Sequence, residues 1–377
     1  MDLTLSDEQR LLRESADRFV NETYTADHRR MIANDPLGFS MDIWKQFADL
    51  GWLALPIAEA HGGLGGGAIE IGILMEAFGR GLVTEPYLST VVIGASLISA
   101  CGTETQKQAL LPKIADGSLI LTFAHSERQA RYDLAKVATT AKRTPDGWRI
   151  DGQKIAVLDG NAAGQIIVSA HIDGGKIGLF MVPQGAAGLT SRDFPRLGGG
   201  RACHLELRDV QLPADALLGD GSDALPALEV VVDRAMAALG AEAVGIMQTL
   251  LDQTLEYTKI RKQFGRPLSA NQVIRHRLAD MAMQCDEARS MALRAALMAD
   301  AEPVARSRAA SGAKAKIGKC ARFVAEQSVQ LHGAMGVTEE LDIGSYFKRL
   351  LAFETLFGGS AHHYRRHAAL GGRGVHV

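Results

Sequence analysis

The sequence predicts an α+β chain built in three consecutive blocks: an N-terminal α-helical domain over residues 1–118, a β-barrel-like middle domain over 119–222, and a C-terminal helical bundle over 223–377. Three observations predict it. Apolar residues recur at helical spacing on both sides of a central region. Inside that region the pattern shortens to strand-like runs closed by Gly, Pro or Asp-Gly. Strands and helices never alternate along the chain, which excludes a doubly wound parallel sheet.

The opening MDLTLSDEQRLLRESADRF reads as an amphipathic helix with Ser6 and Gln9 at capping-box spacing. Charge within its first two residues argues against a signal peptide. DIWKQFADLGWLAL and GTETQKQALLPKIADG continue the helical period, with Pro56 and HGGLGGG marking a turn between them. The glycines of EAHGGLGGGAIE form a sharp loop between helices rather than a phosphate-binding loop. They lack the Lys-Ser or Lys-Thr of a P-loop, a leading strand and the GxGxxG spacing. VVIGASLISA (91–100) is too short for a membrane span, which needs about 20 apolar residues.

GWRIDGQKIAVLDG, GQIIVSAHI, KIGLFMVP and ACHLELRDVQLP read as strands of a small sheet or barrel. The long helices then follow in DRAMAALGAEAVGIMQTLLDQTLEYTKIRKQF, IRHRLADMAMQCDEARSMALRAALMA and AASGAKAKIGKCARFVAEQSVQLHGA. Their alanine and leucine content suits close packing in a bundle.

With 47% hydrophobic and 22% charged residues in 377, the chain can bury a large core. Its net charge of -2 gives no global attraction to nucleic acid or an anionic membrane. Cys101, Cys203, Cys285 and Cys320 lie far apart without a CxxC pair and read as buried thiols in a reducing compartment. A soluble cytoplasmic protein is expected.

Asp233 stands in the apolar helical run EVVVDRAMAALG with no cation one turn away; its neighbours at that spacing are Glu229, Val230, Met236 and Ala237. Either it points to water or something outside the helix needs a carboxylate. His362, His363 and His367 lack an acidic companion at metal-ligand spacing. Lys348, Arg349, Arg365 and Arg366 read as a solvated or intersubunit face, and Met281, Met283, Met291 and Met298 as core or interface filler.

PIAEAHGGLGG, GTETQKQALLPKIADG, DGQK, LELRDVQLPADALLG, YTKIRKQFGRPLSANQ and QLHGAMGVTEE, in this order and spacing, resemble the acyl-CoA dehydrogenase family over essentially the whole chain. The resemblance implies a four-helix C-terminal bundle and FAD held partly by one subunit and partly by its neighbour. It also implies an acyl-CoA substrate, an electron-transfer flavoprotein as partner, and a homo-oligomer or a heterotetramer with a large acyl-CoA dehydrogenase subunit. Within the family the chain looks most like small subunits of the pimeloyl-CoA dehydrogenase type.

In that family a carboxylate removes the proton that the thioester acidifies at the α-carbon, and a hydride leaves the β-carbon for the flavin. Most relatives carry the carboxylate as glutamate in a Tyr-Glu-Gly-Thr motif; here LFGGSAHH puts Gly358 in its place. A minority resembling isovaleryl-CoA dehydrogenase uses a glutamate directly before an arginine on another helix. Counting back from YTKIRKQFG, that position falls on Asp233, with Arg234 in support. Aspartate is shorter by one methylene, about 1.5 Å of reach. An ordinary solvated aspartate is the competing reading.

The resemblance assigns Arg261, Phe264 and Gln272 to the ADP half of a neighbour's FAD, and Gln330, Gly333, Ala334 and Gly336 to the loop along its adenosine. Ala334 replaces a usual glycine. The half that a subunit supplies to its own flavin ring looks eroded. Ser126, Glu127 and Asp133 match the family, but Arg131 and Tyr132 replace glycine and serine, placing two bulky side chains in flavin space. Ala156 and Leu158 stand where the family has Trp-x-Thr, and Ser360 matches the threonine that contacts the cofactor's linker. Arg131, with Tyr132 beside it, is a candidate contact for a second carboxylate on the substrate.

Three functions follow: a subunit of a heteromeric dehydrogenase that lends half a site to a partner's FAD, a self-sufficient homomeric enzyme using Asp233, or a non-catalytic acyl-CoA-binding scaffold. The first is preferred.

Overall fold

The computed structural model describes residues 4–172, 175–338 and 340–371. Six helices open the chain: α1 (Asp7–Thr23), α2 (Ala26–Ala33), α3 (Met41–Asp49), α4 (Ala68–Gly81), α5 (Ser96–Cys101) and α6 (Glu104–Ala115). The box expected at Ser6 is formed: Ser6 Oγ accepts from the Gln9 amide at 3.2 Å and Gln9 Oε1 accepts from the Ser6 amide at 3.0 Å. The glycine loop before α4 is a tight return on itself. Gly62 and Gly65 take left-handed φ of 81° and 67°, and a Cβ on Gly63 would lie 1.9 Å from the Ile57 carbonyl oxygen. VVIGASLISA forms the end of a π-helical stretch, Leu88–Ala95, and most of α5, within the N-terminal core.

The middle of the chain is a seven-stranded sheet of β1 (Leu121–Ala124), β2 (Thr140–Thr144), β3 (Gly147–Leu158), β4 (Gln165–His171), β5 (Ile177–Pro183), β6 (Leu189–Pro195) and β7 (Arg201–Pro213). Its order is β1-β4-β2-β3-β7-β6, with β5 also paired to β4. Register breaks between Ile150 and Gly152 and between Lys154 and Val157 bend β3 against β7 and curl the sheet. The sheet does not close into a barrel, because β5 and β6 each pair with one strand and leave edges.

The bundle begins with α7 (Leu225–Ile260), which carries proline in its first turn and continues for 36 residues. A small hairpin, β8 (Lys262–Gln263) and β9 (Arg266–Pro267), leads to α8 (Gln272–Leu297), α9 (Pro303–His332), α10 (Ile343–Thr355) and α11 (Ser360–Leu370). α7, α8 and α9 pack on one another, while α10 and α11 both lie against α9. Helix α4 of the first domain docks on α7 through glycine. A Cβ on Gly245 would meet the Glu76 carbonyl oxygen at 1.9 Å, and one on Gly79 the Glu242 carbonyl oxygen at 2.0 Å. Mid-helix glycine costs about 1 kcal/mol against alanine; here it lets the two backbones touch, which fixes the first domain on the bundle.

The four cysteines are free thiols, three buried and Cys101 half-buried. Met281 is in the core, whereas Met283 is exposed. Among the described residues no helix is long and apolar enough to cross a membrane.

Candidate active site

The three domains meet around a cavity of about 970 Å³, the upper end of the roughly 300–1,000 Å³ usual for small-molecule sites. Its walls are the segment after β1, with Ser126, Arg131 and Tyr132; the bulged end of β3 from Ile155 to Leu158; and Phe357 and His362 at the start of α11. Helix α7 contributes Leu225, Glu229, Val232 and Met236. Those positions are spaced four, three and four apart, so they form one helical face.

Asp233 is off that face. It is buried, and both carboxylate oxygens are bonded by the neighbouring helices: Oδ2 accepts from Arg306 Nε at 3.1 Å and from the Ser307 hydroxyl at 2.7 Å, while Oδ1 accepts from Arg366 Nη1 at 2.9 Å. The cations absent from its own helix come from α9 and α11. The expectation that Asp233 is a free base, or a solvated aspartate, is therefore corrected: it is a buried ion-pair centre, and the cavity does not touch it. Arg234 points to the surface and pairs with Asp300. The α7 carboxylate on the cavity wall is Glu229, one turn earlier, and it is exposed.

Beneath the β3 wall lies a buried polar cluster. Lys154 Nζ donates to Glu127 Oε1 at 2.7 Å, to Ser169 Oγ at 3.0 Å and to the His125 carbonyl at 3.3 Å. Ser169 Oγ also lies 2.9 Å from His125 Nδ1, while His125 Nε2 is buried without a hydrogen-bond partner among the described residues. Burial, and then the Lys154 charge, push the His125 imidazole down to about 4, so it is neutral at pH 7. Burial brings the Lys154 ammonium down to about 8 although Glu127 opposes this. For Glu127, burial favours the neutral acid, but Lys154 and the Thr139 and Ala138 donors outweigh it and hold the carboxyl at about 2. Glu127 matches the family, yet here it is tied to the wall and is not a free carboxylate. The pairing of this cluster was missed from sequence; its visible signals were Glu127 and the lysine of DGQK.

The loop where the family glutamate would stand is held from below. Lys314, buried on α9, donates to the Phe353 carbonyl at 2.8 Å and the Gly358 carbonyl at 2.9 Å, with its ammonium 4.2 Å from the centre of the Phe353 ring. His363 is bonded through Nε2 to the Phe357 carbonyl at 3.0 Å; burial, and then Lys314, push it down to about 3. Gly358 has φ of 115°, and a Cβ there would lie 2.7 Å from His362 Cδ2 and 2.8 Å from His363 Nε2. The imidazole of His362 thus fills the room that a side chain at 358 needs. Ser360 faces away from the cavity: its amide donates to Glu354 Oε1 at 2.6 Å and its hydroxyl to Oε2 at 2.9 Å.

Arg131 and Tyr132 are both exposed on the cavity wall. Arg131 adopts φ of 53°, a left-handed backbone that glycine takes without strain. Tyr132 packs its ring on His362, with centroids 5.2 Å apart.

At the far end of α7, Arg261, Phe264 and Gln272 are exposed, and Phe264 stands wholly in solvent at φ of 53°. Tyr257 ties this end to the glycine loop. Its ring stacks on His332 at 4.3 Å and its hydroxyl donates to the His332 carbonyl at 3.3 Å. The structure therefore brings the hairpin together with Gln330, Gly333 and Ala334, all exposed; a Cβ on Gly333 would meet nothing within 4 Å. Gly336 is buried against Val329 and His332.

Two arginines expected on a solvated or intersubunit face bond within the chain. Arg349 pairs with Glu242, Nε to Oε1 at 2.8 Å, and donates to the Val83 carbonyl at 3.2 Å, joining α10, α7 and the first domain. Arg366 serves Asp233, Ser311 and Ser307.

Three family domains match the chain: the N-terminal domain of acyl-CoA dehydrogenases over residues 6–118, the middle domain over 122–210 and the C-terminal domain over 229–369. A probable acyl-CoA dehydrogenase of Bacillus subtilis, YngJ, is 33% identical over 91% of this chain and 92% of its own length. Acyl-CoA dehydrogenase FadE12 of Mycobacterium tuberculosis is 31% identical over 81% of each. Among solved structures, a variant of the Tcur3481-Tcur3483 steroid ACAD superposes with TM-score 0.88 at 32% identity, covering 97% of this chain and 98% of the other. The ChsE4-ChsE5 complex from Mycobacterium tuberculosis does so with TM-score 0.87 at 27% identity, covering 97% of each chain.

Proposed function

Since the chain belongs to the acyl-CoA dehydrogenase family of FAD-dependent oxidoreductases, we propose that it works as one subunit of a two-chain dehydrogenase, completing a flavin site seated in its partner. The family's cofactor meets two unlike half-sites here. At the hairpin the residues fit: Arg261 offers a planar guanidinium suited to a pyrophosphate, Phe264 an unburied ring, and Gly333 a backbone open to close approach. In the chain's own cradle they do not fit as they stand. Ser360 is committed to Glu354 and the aromatic cover is replaced by Ala156.

The observation that carries the proposal is the base position. Gly358 has no carboxylate and His362 fills its space, while Asp233 is saturated by two arginines and a serine. The two-component names of the Tcur3481-Tcur3483 and ChsE4-ChsE5 structures support the same reading. The acyl-CoA is then oxidised at the joint site, with an electron-transfer flavoprotein as onward acceptor. Arg131, exposed on the cavity wall, is consistent with the pimeloyl-type resemblance and a substrate bearing a second carboxylate.

A second reading rests on the carboxylate that α7 presents to the cavity. Should the chain work with copies of itself, Glu229 rather than Asp233 is the α7 carboxylate placed to take the α-proton.

The test uses the complex purified with a larger dehydrogenase-like partner. Arg261→Ala is expected to weaken FAD retention by roughly tenfold to a hundredfold, the worth of a charge-assisted contact of about 1.5–3 kcal/mol, with melting of this chain unchanged. Full flavin retention after that change contradicts the proposal.

A further inference from the structure

We infer that Tyr132 and His362 together form a bar across this chain's own cradle, and that this bar decides against flavin as the ligand of its cavity. The inference rests on the subunit reading above and supplies its structural cause. The 126–133 segment and the first turn of α11 line the cavity beside Ile155–Leu158, so a ligand of flavin's length lying along that wall would pass between them. That gap is where Tyr132 meets His362.

Their ring centroids are 5.2 Å apart with the planes tilted by 56°. This is direct aromatic contact, within the ~4.5–7 Å of packed pairs, and leaves no room for a third group between them. His362 is backed by Gly358, which a Cβ would bring to 2.7 Å of its Cδ2, and by the edge of His363 at 4.9 Å. The backbone that carries Tyr132 is set by successive turns, Ala130 N–H to the Glu127 carbonyl at 3.2 Å and Asp133 N–H to the Ala130 carbonyl at 3.1 Å, with Arg131 left-handed between them, and its ring rests on His362. Burial, then Arg366 and Arg365, lower the His362 pKa, so at pH 7 the ring packs as a neutral imidazole.

Gly358 is thus part of the same device. Loss of a side chain at the family's base position makes the room that His362 occupies, so the missing carboxylate and the barred cradle share one structural origin.

The test titrates the purified chain alone with riboflavin and with FAD, following flavin fluorescence. Riboflavin needs only the ring cradle, so a missing partner cannot imitate a closed one. Wild type and Tyr132→Phe, which keeps the ring contact, are expected to bind neither. The double variant Tyr132→Ser with His362→Ala, folded by circular dichroism, is expected to bind riboflavin measurably, roughly two- to tenfold tighter than wild type, the scale of one aromatic contact released. A folded double variant as blind to riboflavin as wild type overturns the bar and leaves the subunit reading standing. Wild type that takes up one FAD per chain overturns both.

Discussion

At the hairpin end of the bundle, Arg261, Gln272 and Gln330 hold their polar groups in solvent and Phe264 buries none of its ring. At the cavity end, two residues matched to the same family's machinery, Asp233 and Ser360, have their polar atoms bonded inside the chain. Both ends follow from one family pattern, so residue type alone does not separate them. What separates them is commitment. A donor or acceptor already paired in a buried network loses that pairing if it turns to a ligand, whereas an exposed one gives up only water.

The largest effect expected from breaking this contrast is at Asp233. Asp233→Ala leaves Arg306 and Arg366 facing each other without their shared anion, and removal of one partner from a buried ion pair costs about 3–5 kcal/mol. A large fall in thermal melting temperature is expected, before any question of activity arises. Unchanged melting would return Asp233 to the status of a free carboxylate.

Acid sharpens the contrast from the other side of the cavity. The Glu127 carboxyl is held at about 2 in the folded chain, below the ~4.3 of an unfolded glutamate. Its contribution is therefore fully present above pH ~4.3 and lost as pH falls toward the folded value. Urea midpoints are expected to drop between pH 5 and pH 3, and Glu127→Gln should flatten that drop while lowering stability at pH 7. An identical acid slope in the variant would mean that the Lys154 pair does not carry it.

The smallest effect is at Arg131. Its φ of 53° costs an L residue roughly 1–2 kcal/mol, partly cancelled because glycine loses more freedom on folding. Arg131→Gly is expected to raise stability by about 0.5–1 kcal/mol in denaturant unfolding, and a loss of stability would show that the side chain is held by contacts that outweigh the strain.

Much of the fold was legible because it is written locally. The change from helical to strand-like period marks the order of the three blocks, and Ser6 with Gln9 caps α1 through bonds three residues apart. The curl of the sheet was harder: the β3 bulges come from its pairing with β7, some fifty residues away, and stop short of a barrel. The site was least legible where partners are remote. Nothing within a turn of Asp233 announces Arg306 or Arg366, and nothing in LFGGSAHH shows that Ser360 turns to Glu354 or that Lys314 holds Gly358 from another helix. Lysines and arginines are usually exposed, so Lys154, Lys314 and Arg349 were hidden by their own statistics. The hairpin is local by contrast: Arg261, Phe264 and Gln272 lie within twelve residues in YTKIRKQFGRPLSANQ and stand exposed.

The most direct measurement of the proposed subunit role is the flavin-to-protein ratio of the chain expressed alone and expressed with a larger dehydrogenase-like chain. The account predicts a colourless or poorly loaded protein alone and about one FAD per heterodimer in the complex, because binding to a completed site is what retains the cofactor. One FAD per chain in the protein expressed alone would contradict it, showing that the cradle beside Tyr132 and His362 is a working flavin site.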